Sequence, residues 1–99
     1  LKLNAEYYYT RFMAQAVTDY EGYVREERQM RRKVASDSLA YRLSYRKYEE
    51  GMLSTFDLHE SSQTYLESRI TLLQMQMMVA IKQRLVNYYI NNEPLWDVQ

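Results

Sequence analysis

No cysteine occurs among the 99 residues. That excludes a disulfide framework, a Cys-ligated zinc site, a thiol redox motif and a thiol nucleophile. Glycine appears twice and proline once, well below ordinary usage. An all-β sandwich needs a turn about every ten residues, and so few turn formers cannot supply them. They are compatible with a few long helices. Neither charge is in excess, because 13 Lys and Arg balance 13 Asp and Glu. Non-specific nucleic-acid binding, which draws on a strongly basic surface, is therefore disfavoured. No apolar run approaches the roughly 18 residues that read as a membrane-spanning helix. The first residue is Leu1, and no apolar leader precedes the pattern described below. The chain is accordingly expected to be a piece of a longer protein. Tyrosine is what the sequence has in plenty, with eleven against two phenylalanines and one tryptophan.

Two long segments lack strong breakers, one from about 4 to 50 and one from about 54 to 90. Gly51 stands between them, and Asn91, Asn92 and Pro94 follow the second. A glycine just past one segment and a capping serine at the next is a helix stop and start. Ser54-Thr55-Phe56-Asp57 reads as a capping box, in which each side chain can satisfy an orphan backbone N–H. Asp57 and Glu60 also put negative charge in the first turn, where the helix dipole favours it. The expected link is only Gly51 to Leu53, and so short a link lays two helices antiparallel and side by side.

The apolar spacing points to a coiled coil. Leu58, Tyr65, Leu72, Val79 and Val86 recur every seventh residue. Leu66, Ile70, Leu73, Met77 and Ala80 run beside them in alternating steps of four and three. In the first segment Tyr20, Val34, Tyr41 and Tyr48 share one phase, interrupted by Glu27, and Ala16, Tyr23 and Met30 follow the next. Sustained heptads favour left-handed supercoiled packing. At 1.5 Å per residue the helices would run roughly 70 Å and roughly 55 Å, which is a rod. The expected fold is thus all-α, a long antiparallel two-helix coiled-coil hairpin over 1–99. The second helix is apolar over more than one stripe, so further helices are expected beside it. Residues 91–99, with Leu95, Trp96 and Val98, read as a loop leaving the rod.

Few residues suggest chemistry. His59 stands alone, without cysteines or a partner motif, so a structural or solvated role is favoured over metal binding or catalysis. Met75, Met77 and Met78 could offer thioethers to Cu(I), but methionine is a common filler of helix interfaces. Arg25 to Lys33 is locally basic, with Glu26 and Glu27 inside it. The pairs Glu27 with Arg31 and Glu21 with Arg25 make it a salt-bridged helix face. Tyr7 to Tyr9 and Tyr88 with Tyr89 are expected toward one end of the rod but not opposite each other. Tyrosine suits a wide, partly wet interface. Asp57 and Glu60, three apart, could do acid–base work, and they are equally explained as partners of the helix dipole. No Ser-His-Asp, P-loop, Gly-rich or HExxH pattern is present. The expectation is no enzyme, no metal and no cofactor.

The stretch Tyr48-Glu49-Glu50-Gly51-Met52-Leu53-Ser54-Thr55-Phe56-Asp57-Leu58 resembles the Y-x-x-G-x-x-S-x-x-D-L segment of TolC-like outer-membrane efflux proteins. The ending Tyr88-Tyr89-Ile90-Asn91-Asn92-Glu93-Pro94-Leu95-Trp96 is similar to the close of the following helix in C-terminal halves of that family. The resemblance implies a hairpin of a trimeric periplasmic tunnel joined to an outer-membrane β-barrel. It implies a passive export duct in a tripartite efflux or secretion system, located in the periplasmic part of the cell outer membrane. The implied partners are copies of the parent in a homotrimer, a periplasmic adaptor protein and, through it, an inner-membrane pump. Gly51, Leu53 and Ser54 would lie on the adaptor-binding tip. Tyr48, Asp57 and Glu60 would line the channel entrance, where rings of carboxylates would favour cations. His59 and Ser61 depart from the family's usual Leu and Ala. The alternative to the duct is a free-standing antiparallel coiled coil acting as an interaction or scaffold module.

Overall fold

A computed structural model gives the structure of residues 2–91, with side chains from residue 4 onward. It contains two helices, α1 (Lys2–Glu49) and α2 (Thr55–Asn91), packed against each other. Among the described residues there is no strand. The expected 91–99 loop lies outside the described residues except for Asn91, which extends α2 one residue past its expected end.

The tip shows why α1 stops where it does. Gly51 has φ of 76°, in the left-handed region that glycine enters without a Cβ penalty. Its N–H donates to the Tyr48 carbonyl at 3.0 Å, and the Met52 N–H donates to the Lys47 carbonyl at 2.8 Å. These two bonds are the Schellman pair that satisfies the last carbonyls of a helix. The α2 start is equally local. Ser54 Oγ accepts from the Asp57 N–H at 3.1 Å, and the Ser54 carbonyl accepts from Leu58 N–H at 3.1 Å. Ser54 is therefore the N-cap. The reciprocal half of the capping box, from Asp57 back to the Ser54 N–H, is not formed. The connection runs over 50–54, slightly longer than the spacing implied.

Burial follows the heptads. On α1 the covered positions include Met13, Tyr20, Glu27, Val34 and Tyr41, with Ala16, Tyr23, Met30, Asp37 and Ser44 in the second phase. On α2 they include Leu58, Tyr65, Leu72, Val79 and Val86, with Ser61, Ser68, Met75, Lys82 and Tyr89. The seam is thin. Ala16 and Ser68, each 3% exposed, are its only buried residues among those described. The reason is chemical: the second phase carries Ser, Asp and Lys where a stable two-helix seam would carry Leu.

The contacts across the seam run in opposite senses along the two helices. Tyr41 stacks on Tyr65 with ring centroids 5.9 Å apart. Lys82 Nζ lies 3.8 Å from Asp19 Oδ2 and 5.9 Å from the Tyr23 ring centre. Tyr9 Oη donates to the Tyr89 carbonyl at 2.6 Å. From Tyr41 back to Tyr9, α1 spends more residues than α2 spends from Tyr65 to Tyr89. Hence α1 follows the longer, outer path. Two features permit such bending: Gly22 mid-helix, and Thr18 Oγ1 donating to the Ala14 carbonyl at 3.0 Å. The longest dimension is 72 Å, as the expected rod requires. The second is 30 Å, too wide for two straight helices at roughly 9 Å spacing. This curvature corrects one expectation. The two tyrosine clusters do face each other, with the Tyr9 and Tyr89 rings 5.6 Å apart and edge to face.

Candidate functional site

Two surfaces stand out, the tip and the outer face of α2. At the tip, Met52 and Phe56 are 67% and 68% exposed. Leu53 beside them is half-buried, and Gly51 and Ser54 are exposed. Met52 is held outward by the glycine turn, and Phe56 by the first turn of α2. Neither stood out in the sequence as a site residue. The signal that could have found them is two large apolar side chains flanking a turn too short to cover them.

Tyr48 sits one turn before the tip and is exposed, as are Asp57, His59 and Glu60. Asp57 and Glu60 form no ion pair or side-chain hydrogen bond with each other or with His59. Among the described residues, no group of three His, Cys, Asp or Glu could hold a metal ion. Every ionisable group from Glu49 to Glu67 is acidic apart from His59 and Tyr65, because no Lys or Arg lies between Lys47 and Arg69. The tip is therefore an acidic surface with an apolar apex. A carboxylate pair held this openly faces bulk water, where its charges are well screened.

The outer face of α2 carries the second heptad stripe. Leu66, Ile70, Leu73, Met77 and Ile81 are all about half-exposed or more, with Leu73 at 60% and Met77 at 64%. Among the described residues, no helix covers them. The sequence placed the first four of these, with Ala80, beside the covered stripe, and their exposure is part of the excess apolar surface that the spacing implied. The better apolar seam of α2 thus faces away from α1, while the more polar one faces it.

On α1 the basic side chains of the charged segment are solvated, whereas their acidic partners Glu27 and Asp37 sit at the seam. Arg31 Nε donates to Glu27 Oε1 at 2.7 Å, and Lys33 Nζ donates to Asp37 Oδ2 at 2.8 Å. The expected Glu21 and Arg25 pair is not formed. The Lys33 hydrogen bond holds the Asp37 carboxyl below its ordinary value of 3.8, against the opposing effect of burial. The Ser68 hydroxyl, across the seam, acts in the same direction. Midway along α2 Arg69 lies 5.5 Å over the Tyr65 ring, which continues the Tyr41 stack. An open apolar groove at the far end is lined by Thr10, Met13, Ala14, Val17 and Ile90.

No family model, no curated protein and no solved structure matches the chain. Among the described residues, no helix is long and apolar enough to cross a membrane. That observation concerns helical spans and not β-barrels.

Proposed function

We propose that the chain is an antiparallel coiled-coil hairpin that forms one wall element of a larger helical assembly. The observation that carries this reading is the uncovered stripe from Leu66 to Ile81. A helix apolar on two faces is built to be covered on both. The opposite running of the contact pairs from Tyr41 with Tyr65 to Tyr9 with Tyr89 supports the antiparallel arrangement.

Of such assemblies, the sequence of the tip favours the periplasmic tunnel of a TolC-like efflux duct. In that reading the parent is a trimer in the cell outer membrane. Gly51, Leu53 and Ser54 meet a periplasmic adaptor, and Tyr48, Asp57 and Glu60 line the entrance. The chemistry is conduction, with no catalysis and no cofactor. The acidic tip supports it, since carboxylates repeated around a pore raise the local cation concentration. The test uses the full-length product of the coding frame in planar bilayers. Cation conductance is expected, and Asp57→Asn is expected to change it. A product that forms no pores, or pores indifferent to Asp57→Asn, removes the duct and the entrance role respectively. In the second reading, a free-standing interaction module, the same stripe needs only one further helix.

A further inference from the structure

The outer stripe of α2 points to a specific occupant. We propose that it is covered by the α2 of a second copy of this chain, packed antiparallel about a two-fold axis. The inference rests on the second reading, the free-standing interaction module, and is an alternative to the duct. In a duct all tips lie on one side, whereas here the two tips point apart.

Three observations carry it. The first is that the stripe has coiled-coil spacing, with Leu66 and Leu73 in one phase and Ile70 and Met77 in the other. In an antiparallel pair the layers join one phase to the other. An axis between Ile70 and Leu73 gives four apolar layers, Leu66 on Met77 and Ile70 on Leu73, each made twice. The surface is thus complementary to itself, as an isologous interface requires.

Second, the charges around the stripe fit that orientation. No charged residue lies between Arg69 and Lys82, so the central layers bring no like charges together. In this register Glu67 and Arg69 come beside Gln74 and Gln76 of the other copy, which can hydrogen-bond to either sign. Arg84, which has no ion-pair partner among the described residues, comes level with His59 and Glu60 of the other copy. A parallel pair would instead bring two acidic tips together. Each holds Glu49, Glu50, Asp57, Glu60 and Glu67 with no Lys or Arg among them. Like charges at one end disfavour that arrangement.

The third observation is size. Five side chains at these exposures leave on the order of 500 Å² uncovered, at the upper end of what monomers tolerate. The stems of the flanking Gln, Glu and Arg residues bring the face toward the roughly 800 Å² per partner of a specific interface. The outer face of α1 is a poorer partner. At the same level along the rod it presents Arg25, Arg28 and Arg32, all exposed.

The test is sedimentation equilibrium of the 99-residue chain from 1 to 200 µM. A dimer is expected. Leu73→Glu, which places two carboxylates in the central layers, is expected to weaken it at least about 100-fold. Thr64→Glu, exposed but off the stripe, serves as the control and is expected to dimerise normally. Far-UV circular dichroism of both variants at equal concentration checks that the helices persist. Because the chain has no cysteine, Thr55→Cys accepts a single spin label. Two-fold antiparallel packing places the labels about 50 Å apart along the axis, from 1.5 Å per residue. A monomer throughout the range overturns the proposal. So does a trimer, a dimer that survives Leu73→Glu, or a label separation under about 25 Å.

Discussion

Replacing Gly51 with alanine tests the account of the tip most directly. Gly51 holds φ at 76°, and a Cβ added there meets no atom within 4 Å. The cost is therefore conformational and not steric. An L-residue in the left-handed region loses about 1–2 kcal/mol. Alanine also restricts the unfolded chain, which returns roughly 0.4–1 kcal/mol. The net loss for Gly51→Ala is expected near 1 kcal/mol, or about 5 °C in Tm for a chain of this size. Urea and thermal unfolding followed at 222 nm read it, at one fixed protein concentration because association shifts apparent stability. D-alanine at the same position, made by chemical synthesis, keeps the native φ with its Cβ in open space. It is expected to stabilise by about 0.5 kcal/mol. A loss below about 0.3 kcal/mol for L-alanine would mean that the Schellman turn does not hold the tip. A loss for D-alanine would mean that the space is not open.

Other outcomes follow from the same structure. Ser54→Ala removes the N-cap oxygen from the Asp57 N–H and is expected to cost about 1 kcal/mol, with Ser54→Asp close to neutral in the same unfolding assay. Asp37 has its carboxyl pKa depressed in the folded state, so its contribution is full above the unfolded value and fades as pH falls through the folded one. Urea midpoints taken from pH 5 down to pH 2 should fall less steeply in Asp37→Asn than in the parent, and parallel curves would contradict the Lys33 interaction. Glu27 occupies a seam position with its side chain 14% exposed. Glu27→Leu should raise stability by about 1 kcal/mol by adding apolar burial, and a destabilised variant would show that the Arg31 pair outweighs it.

The helices, their ends and their phases were legible in the residues. Gly51 and Ser54 punctuate the chain through bonds made within a few residues of themselves, and such local chemistry survives without knowledge of the fold. The heptads of Leu58 through Val86 and of Leu66 through Ala80 were both readable. Which of the two would face α1 was not, because either phase can close a hairpin. Met52 and Phe56 escaped notice because apolar residues at a turn are ambiguous until the turn is seen to leave them uncovered. The meeting of Tyr9 with Tyr89 was not legible, because it depends on the path of α1 over its whole length.

The sequence by itself determined that this protein is two long helices joined by a tight glycine turn. Helix periodicity, caps and the lack of breakers are properties of neighbours along the chain. Only the tertiary structure decided that the seam used is the one rich in Ser, Asp and Lys, and that the more apolar stripe of α2 is left outside. That choice depends on how both helices curve and pair over their whole length. Local spacing carries no record of it.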